Sequence, residues 1–257
     1  ATDGTDFNQT GPYNWSIPLT ADLGNEIKVK VYAKTDSAVN DTSDNNISIR
    51  WILNLTYPVG GEIWQVGTGK DINWTRQGTK LGNITLKYST DNGTNYNDTI
   101  IASNDSVSGS YAWPSVANVM NGSGGTKFEK VKVKILAVND VNVSDASDNP
   151  FTIVPLISIT RPDENNNTFY VDDTENITWS WNGSISAINV YSTNLTGAWI
   201  EQENNIVNNG THPWYVPNVI SNTSKVKVCN YLYNETISEA CGQSLNFTRK
   251  QKIDINN

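Results

Sequence analysis

One short signature occurs three times in this chain, and it constrains the fold more than any other feature. It reads Gly, any residue, Tyr or His, any residue, Trp, followed closely by Pro. The copies are Gly11-Pro-Tyr13-Asn-Trp15 with Pro18, Gly109-Ser-Tyr111-Ala-Trp113 with Pro114, and Gly210-Thr-His212-Pro-Trp214 with Pro217. Downstream of each lies a strand of alternating Lys and Val: Lys28 to Val31, Lys130 to Val133 and Lys225 to Val228. In two copies Ser-Asp-Asn then opens a short apolar segment, Ser43-Asp44-Asn45 before Ile47 and Ile49, and Ser147-Asp148-Asn149 before Phe151 and Ile153. The third copy has Cys241-Gly242 there, before Leu245 and Phe247.

A second signature opens each repeat. Leu53-Asn-Leu55-Thr-Tyr-Pro58 matches Ile157-Ser-Ile159-Thr-Arg-Pro162, and Ile72-Asn-Trp74 matches Ile177-Thr-Trp179. The tail Lys252-Ile253-Asp254-Ile255 has the pattern of one more opening strand. The period, about a hundred residues, is that of an immunoglobulin-like domain. These matches divide the chain into residues 1–50, the C-terminal half of a repeat; 51–154, a complete repeat; 155–248, a second complete repeat; and 249–257, the first strand of a further copy or a donated strand. A half sandwich cannot bury its apolar face alone. Its missing strands are expected from preceding chain, from a neighbouring subunit, or from nowhere, which would leave that part frayed.

Within the repeats the apolar residues alternate with polar ones. Ile27 to Val31, Ile72 to Trp74, Ile84 to Tyr88, Val131 to Ile135 and Ile188 to Tyr191 read as strands. Asp91-Asn92-Gly93 marks a tight turn. No stretch carries helical periodicity with caps. The expected fold is all-β: tandem immunoglobulin- or fibronectin-like β-sandwich repeats in an extended array. The repeated Trp positions are expected to pack between sheets rather than to stack on sugars.

Nine Trp and eleven Tyr supply core material to a chain that is only 37% hydrophobic. The formal net charge of -8 does not suit phosphate backbones, so nucleic acid is not an expected partner. No apolar run reaches the length of a membrane span, so an anchor to a membrane or wall is expected outside the segment. Ala1-Thr2-Asp3-Gly4 lacks the basic and apolar regions of a signal peptide, so the chain reads as processed or cut from something longer.

Asparagine carries the compositional signal. N-x-[ST] sequons begin at Asn8, Asn14, Asn40, Asn46, Asn54, Asn73, Asn83, Asn92, Asn97, Asn104, Asn121, Asn142, Asn166, Asn176, Asn182, Asn194, Asn209, Asn222, Asn234 and Asn246. Roughly seven would arise by chance from this content of Asn, Ser and Thr. Turn and surface roles account for part of the Asn. They do not account for the spacing, which points to N-linked glycans on an extracellular surface.

The other candidate sites are few. Cys229 and Cys241 are spaced for a cross-strand or hairpin disulfide in an oxidising compartment, with two buried thiols as the alternative. The single histidine, His212, stands where the other copies have Tyr13 and Tyr111, which makes it a packing or hydrogen-bonding residue. One His and two late Cys offer no zinc cluster and no nucleophilic triad, and no catalytic residue is expected. No cofactor is expected. Asp140, Asp145 and Asp148, with Asp36, Asp41 and Asp44 in the earlier copy, are possible oxygen ligands for calcium. The stronger reading is turn formation, because the third copy has Glu235, Glu239 and cysteines there.

Pro58-Val-Gly-Gly-Glu-Ile-Trp64-Gln-Val66-Gly67 with Ile72-Asn-Trp74, then Leu86-Lys-Tyr-Ser89-Thr-Asp91-Asn-Gly93 and Ser147-Asp148-Asn149-Pro-Phe151-Thr-Ile153, resembles the Ser-Thr-rich GPI-anchored membrane-protein repeat of yeast cell-wall-synthesis type. The resemblance covers the middle repeat well and the first half-repeat in part. The third departs from it, with Asp163-Glu-Asn-Asn in place of the Gly pair. It implies an extracellular structural or adhesive role and no catalytic residues.

The leading expectation is a structural segment of a glycosylated filament, stalk or sheath, self-associating by strand complementation or continuing in a longer chain. The alternatives are an adhesin or carbohydrate-binding module, for which Trp51, Trp181 and Trp199 are the candidate exposed aromatics, and an accessory segment of a secreted hydrolase.

Overall fold

The computed structural model describes residues 12–19, 21, 24–78, 82–119, 128–233 and 236–252. Among them there is no α-helix, and strands follow one another along the chain. The fold is a tandem array of immunoglobulin- and fibronectin-like β-sandwich units, as the repeat pattern predicts.

The first repeat contributes β1 (Gly24–Ile27), β2 (Lys30–Ala33), β3 (Asp36–Thr42) and β4 (Ile47–Ile49). They form two antiparallel pairs, β1 with β4 and β2 with β3.

The middle repeat contains β5 (Ile52–Tyr57), β6 (Ile63–Gln65), β7 (Lys70–Gln77), β8 (Asn83–Ser89), β9 (Asp98–Asp105), β10 (Ser110–Trp113), β11 (Phe128–Ala137), β12 (Ser144–Ala146) and β13 (Phe151–Val154). One sheet runs β10-β7-β5; the other runs β6-β13-β11-β8-β9, with β12 paired to β11. Period-2 alternation decides the inward faces. Ile72 and Trp74 point in from β7, and Val131, Val133 and Ile135 from β11. Trp64 lies between the sheets, with its ring centroid 4.5 Å from Phe151 and 6.2 Å from Trp113.

The third repeat contains β14 (Leu156–Arg161), β15 (Thr168–Tyr170), β16 (Thr174–Asn182), β17 (Ala187–Thr193), β18 (Trp199–Val207), β19 (Thr211–Tyr215), β20 (Ser221–Ser224), β21 (Val226–Asn230), β22 (Cys241–Gln243) and β23 (Phe247–Lys250). Its first sheet, β14-β16-β19, repeats β5-β7-β10. Its second sheet is split into β15-β23-β20 and β18-β17-β21-β22. Phe169, Trp214 and Phe247 form an edge-to-face cluster, with centroids 5.3 to 6.1 Å apart, at the positions of Trp64, Trp113 and Phe151. Pairing of Tyr170 with Lys250 carries this repeat two residues beyond the expected boundary at 248.

The structure also moves one equivalence made from sequence. Ser43 and Val29 exchange hydrogen bonds as Ser147 and Val133 do, and as Ser244 and Val226 do. Lys28 therefore corresponds to Lys132 rather than Lys130, and Val31 to Ile135. Both lysines donate to an equivalent backbone carbonyl, that of Asp44 or Asp148. An alternating Lys-Val run is self-similar at two residues, so sequence alone permits this slip; the hydroxyl partner does not. The third repeat keeps the serine of Ser-Asp-Asn as Ser244. Cys229 pairs with Cys241 where Leu136 pairs with Ser144, and Gly242 takes the place of Asp145.

Candidate functional site

Three surfaces carry the candidate residues: the sequon-bearing exterior, the scattered aromatics and carboxylates, and the face of the incomplete first repeat. Asn8, Asn121 and Asn234 lie outside the described residues, as do Ile253 and Ile255. Every other sequon asparagine is exposed, except Asn73, Asn104 and Asn194, which are half-buried. The buried asparagines, Asn189 and Asn230, both stand outside sequons. Asn189 accepts from the Asn205 amide and donates to the Tyr191 hydroxyl; Asn230 accepts from the Leu232 amide. Asparagine is thus used in two ways, inward to satisfy backbone and outward in the N-x-[ST] pattern. At Asn194 the sequon closes on itself, with Oδ1 accepting from the Thr196 hydroxyl at 2.8 Å and from two backbone amides.

The aromatics expected for sugar stacking do not share a platform. Trp51 packs flat on Gly78 beside the first junction; a Cβ on that glycine would meet the ring at 1.4 Å. Trp181, 39% exposed, belongs to β16. Trp199, on β18 in another sheet, holds the Lys227 ammonium 4.4 Å from its ring centroid. The carboxylates considered for calcium have separate partners. Asp145 Oδ2 accepts the Leu55 amide at 2.8 Å, Asp140 faces Arg50 at 3.7 Å and accepts the Asn142 amide, Asp36 accepts the Ala38 amide, and Asp41 accepts the amide of the next residue, Thr42, within β3. Among the described residues no group of three His, Cys, Asp or Glu could hold a metal. His212 pairs across from Ile177 as Tyr111 pairs from Ile72. Burial holds its pKa below the usual histidine value, against an opposing pull from Glu203.

The most informative surface is one that the repeat pattern leaves open. Val29 is 44% and Val31 65% exposed, whereas their equivalents Val133 and Ile135 are 0% exposed. Trp15 and Ile47 are exposed where Trp113 and Phe151 are buried. Asp41 occupies the position of Asp145, whose carboxylate receives the opening strand of the middle repeat. Among the described residues, the first repeat therefore presents core-equivalent side chains to solvent, with the Asp41 carboxylate beside them already accepting the Thr42 amide through Oδ1. The place of Asp145 on the opening strand and the aromatic equivalence of Trp64 and Phe169 emerge only from the strand register.

No helix among the described residues is long and apolar enough to cross a membrane. No family model and no curated protein match the chain. Among solved structures it is similar to the fibronectin(III)-like modules of Clostridium thermocellum CbhA (14% identity, 80% of this chain and 98% of that one, TM-score 0.25). It is also similar to the N-terminal four Ig domains of Dscam1 isoform 6.44 (8%, 88% and 54%, 0.32) and to extracellular domains 3-5 of Drosophila OTK (11%, 82% and 67%, 0.34).

Proposed function

We propose that this chain is a structural stretch of an extracellular, N-glycosylated filament, stalk or sheath, and that it works as a non-catalytic element. The observation that carries the reading is the open face of the first repeat. Fully burying an exposed Val or Ile is worth about 1.5–3 kcal/mol, and part of that remains to be gained at the partly exposed Val29, Val31 and Ile47, so the face gains from a partner that supplies strands. In this reading the strands come from a neighbouring copy or from preceding chain, and Asp41 receives one of their backbone amides as Asp145 receives Leu55. The sequon pattern supports the extracellular setting, because its asparagines lie at the surface while the buried ones lack the motif. Glycans there would shield sheet edges from proteases and from unwanted pairing.

The test is sedimentation of the protein isolated from its native source, with glycopeptide mass spectrometry on the same material. Ordered polymer with many occupied sequons is the expected result. A monomer with bare asparagines would overturn the reading and bring the adhesin and hydrolase-accessory alternatives forward.

A further inference from the structure

The cysteine pair occurs in one repeat only, and its surroundings explain what it does there. Cys229 and Cys241 are bonded at 2.07 Å across β21 and β22, at the base of the hairpin that carries residues 230–233 and 236–240. That hairpin leaves its own sandwich and lies on the end of the middle repeat. Tyr233 and Ala240, both buried, form a cluster with Val154, the last residue of β13, and with Ile63 of β6. The Tyr233 hydroxyl faces the Ile153 carbonyl at 3.4 Å, and Gln65 Nε2 donates to the Glu239 carbonyl at 2.7 Å. Gly242 lets β22 close against the first strand of its own repeat; a Cβ there would lie 2.6 Å from the Ile157 carbonyl oxygen. On the other side of the junction Asn118 donates to the Ser184 hydroxyl at 3.2 Å. The two repeats are joined by a single buried residue, Pro155.

The equivalent hairpin of the middle repeat is built differently. It has no cysteines, and its tip exposes Val138 and Val141. It reaches the first junction through Asp140, at 3.7 Å from the exposed Arg50 side chain. An exposed ion pair of this kind contributes little, whereas the buried tyrosine cluster adds apolar contact.

We propose that the stapled hairpin is a clamp that fixes the middle and third repeats as one rigid body, and that its rigidity depends on the oxidised disulfide. Without the clamp, relative motion of neighbouring repeats is the default for a small polar interface. The bond holds β21 to β22 at the base of the hairpin, so that Tyr233, Ile237 and Ala240 arrive together on Val154.

Residual dipolar couplings measured on the isotope-labelled full chain test this. In the oxidised protein, the middle and third repeats are expected to share one alignment tensor. Treatment with dithiothreitol, or replacement by Cys229→Ser with Cys241→Ser, is expected to give the two repeats tensors of different magnitude. Tyr233→Ala, with the disulfide intact, is expected to do the same while the chemical shifts of the third-repeat core stay in place. That variant decides the matter should loss of the cysteines unfold the repeat. Separate tensors in the oxidised wild type, or one shared tensor that survives Tyr233→Ala, would overturn the proposal.

Discussion

At the scale of single residues, the repeats act as internal controls on one another. His212 fills a tyrosine position, and burial disfavours its charged form. Its folded pKa lies below the unfolded value, so the folded state binds fewer protons. Stability is then full above about pH 6.5 and declines as pH falls below it. Replacing His212→Tyr, the residue of the middle repeat, is expected to remove that decline in thermal unfolding measured between about pH 7.5 and 5. An unchanged profile in the variant would assign the decline elsewhere. Asp91 has the same linkage sign at lower pH, but there hydrogen bonding favours the charged form. Hydrogen bonds from the Ser89 hydroxyl and from the backbone and side chain of Asn95 hold its carboxyl down at about 2. The turn it anchors is intact above the ordinary carboxylate range and loosens only as pH falls toward that value. An NMR titration of the Asp91 carboxyl with a midpoint near 4 would contradict this network.

At the scale of elements, the aromatic cluster and the opening strand hold each sandwich together. Trp64 is 1% exposed and Phe169 2% exposed at matching positions. Trp64→Ala and Phe169→Ala are each expected to cost their own repeat about 3–5 kcal/mol, read as a lower denaturant midpoint for that repeat. Asp145→Ala removes the acceptor of the Leu55 amide and is expected to cost about 1–3 kcal/mol in the middle repeat. The third repeat should not respond to that change, because Gly242 stands at the equivalent position. Much of this was legible in sequence. Trp74 and Trp179, matched by sequence, donate their backbone amides to the carbonyls of Gly109 and Gly210, the glycines that open the matched signature. What was not legible has a physical cause. The Lys-Val strand can slide by two residues without changing which face is apolar, and only the Ser43, Ser147 and Ser244 hydroxyls fix its register. Trp64 and Phe169 differ in residue type and follow turns of different build. Glu62 accepts the Val59 and Gly60 amides in one turn, and Asp163 accepts the Asn165 and Asn166 amides in the other. The hairpin contact across Pro155 joins residues some eighty positions apart, which no local pattern reports.

At the scale of the whole molecule, the chain carries two sandwiches after the segment β1 to β4, whose core-equivalent side chains Val29, Val31 and Ile47 are exposed among the described residues. Its outer surface carries the sequon asparagines, and its one disulfide sits at a junction between repeats rather than inside a core. These features are those of an element in an extended array. The central claim is that the open face of the first repeat is covered in the working protein. Electron cryo-microscopy of the native material tests it most directly. The predicted result is an ordered polymer in which strands, from a neighbouring copy or from preceding chain, lie over Val29, Val31 and Ile47, with a backbone amide on Asp41. Dispersed particles with that face bare to solvent would contradict it.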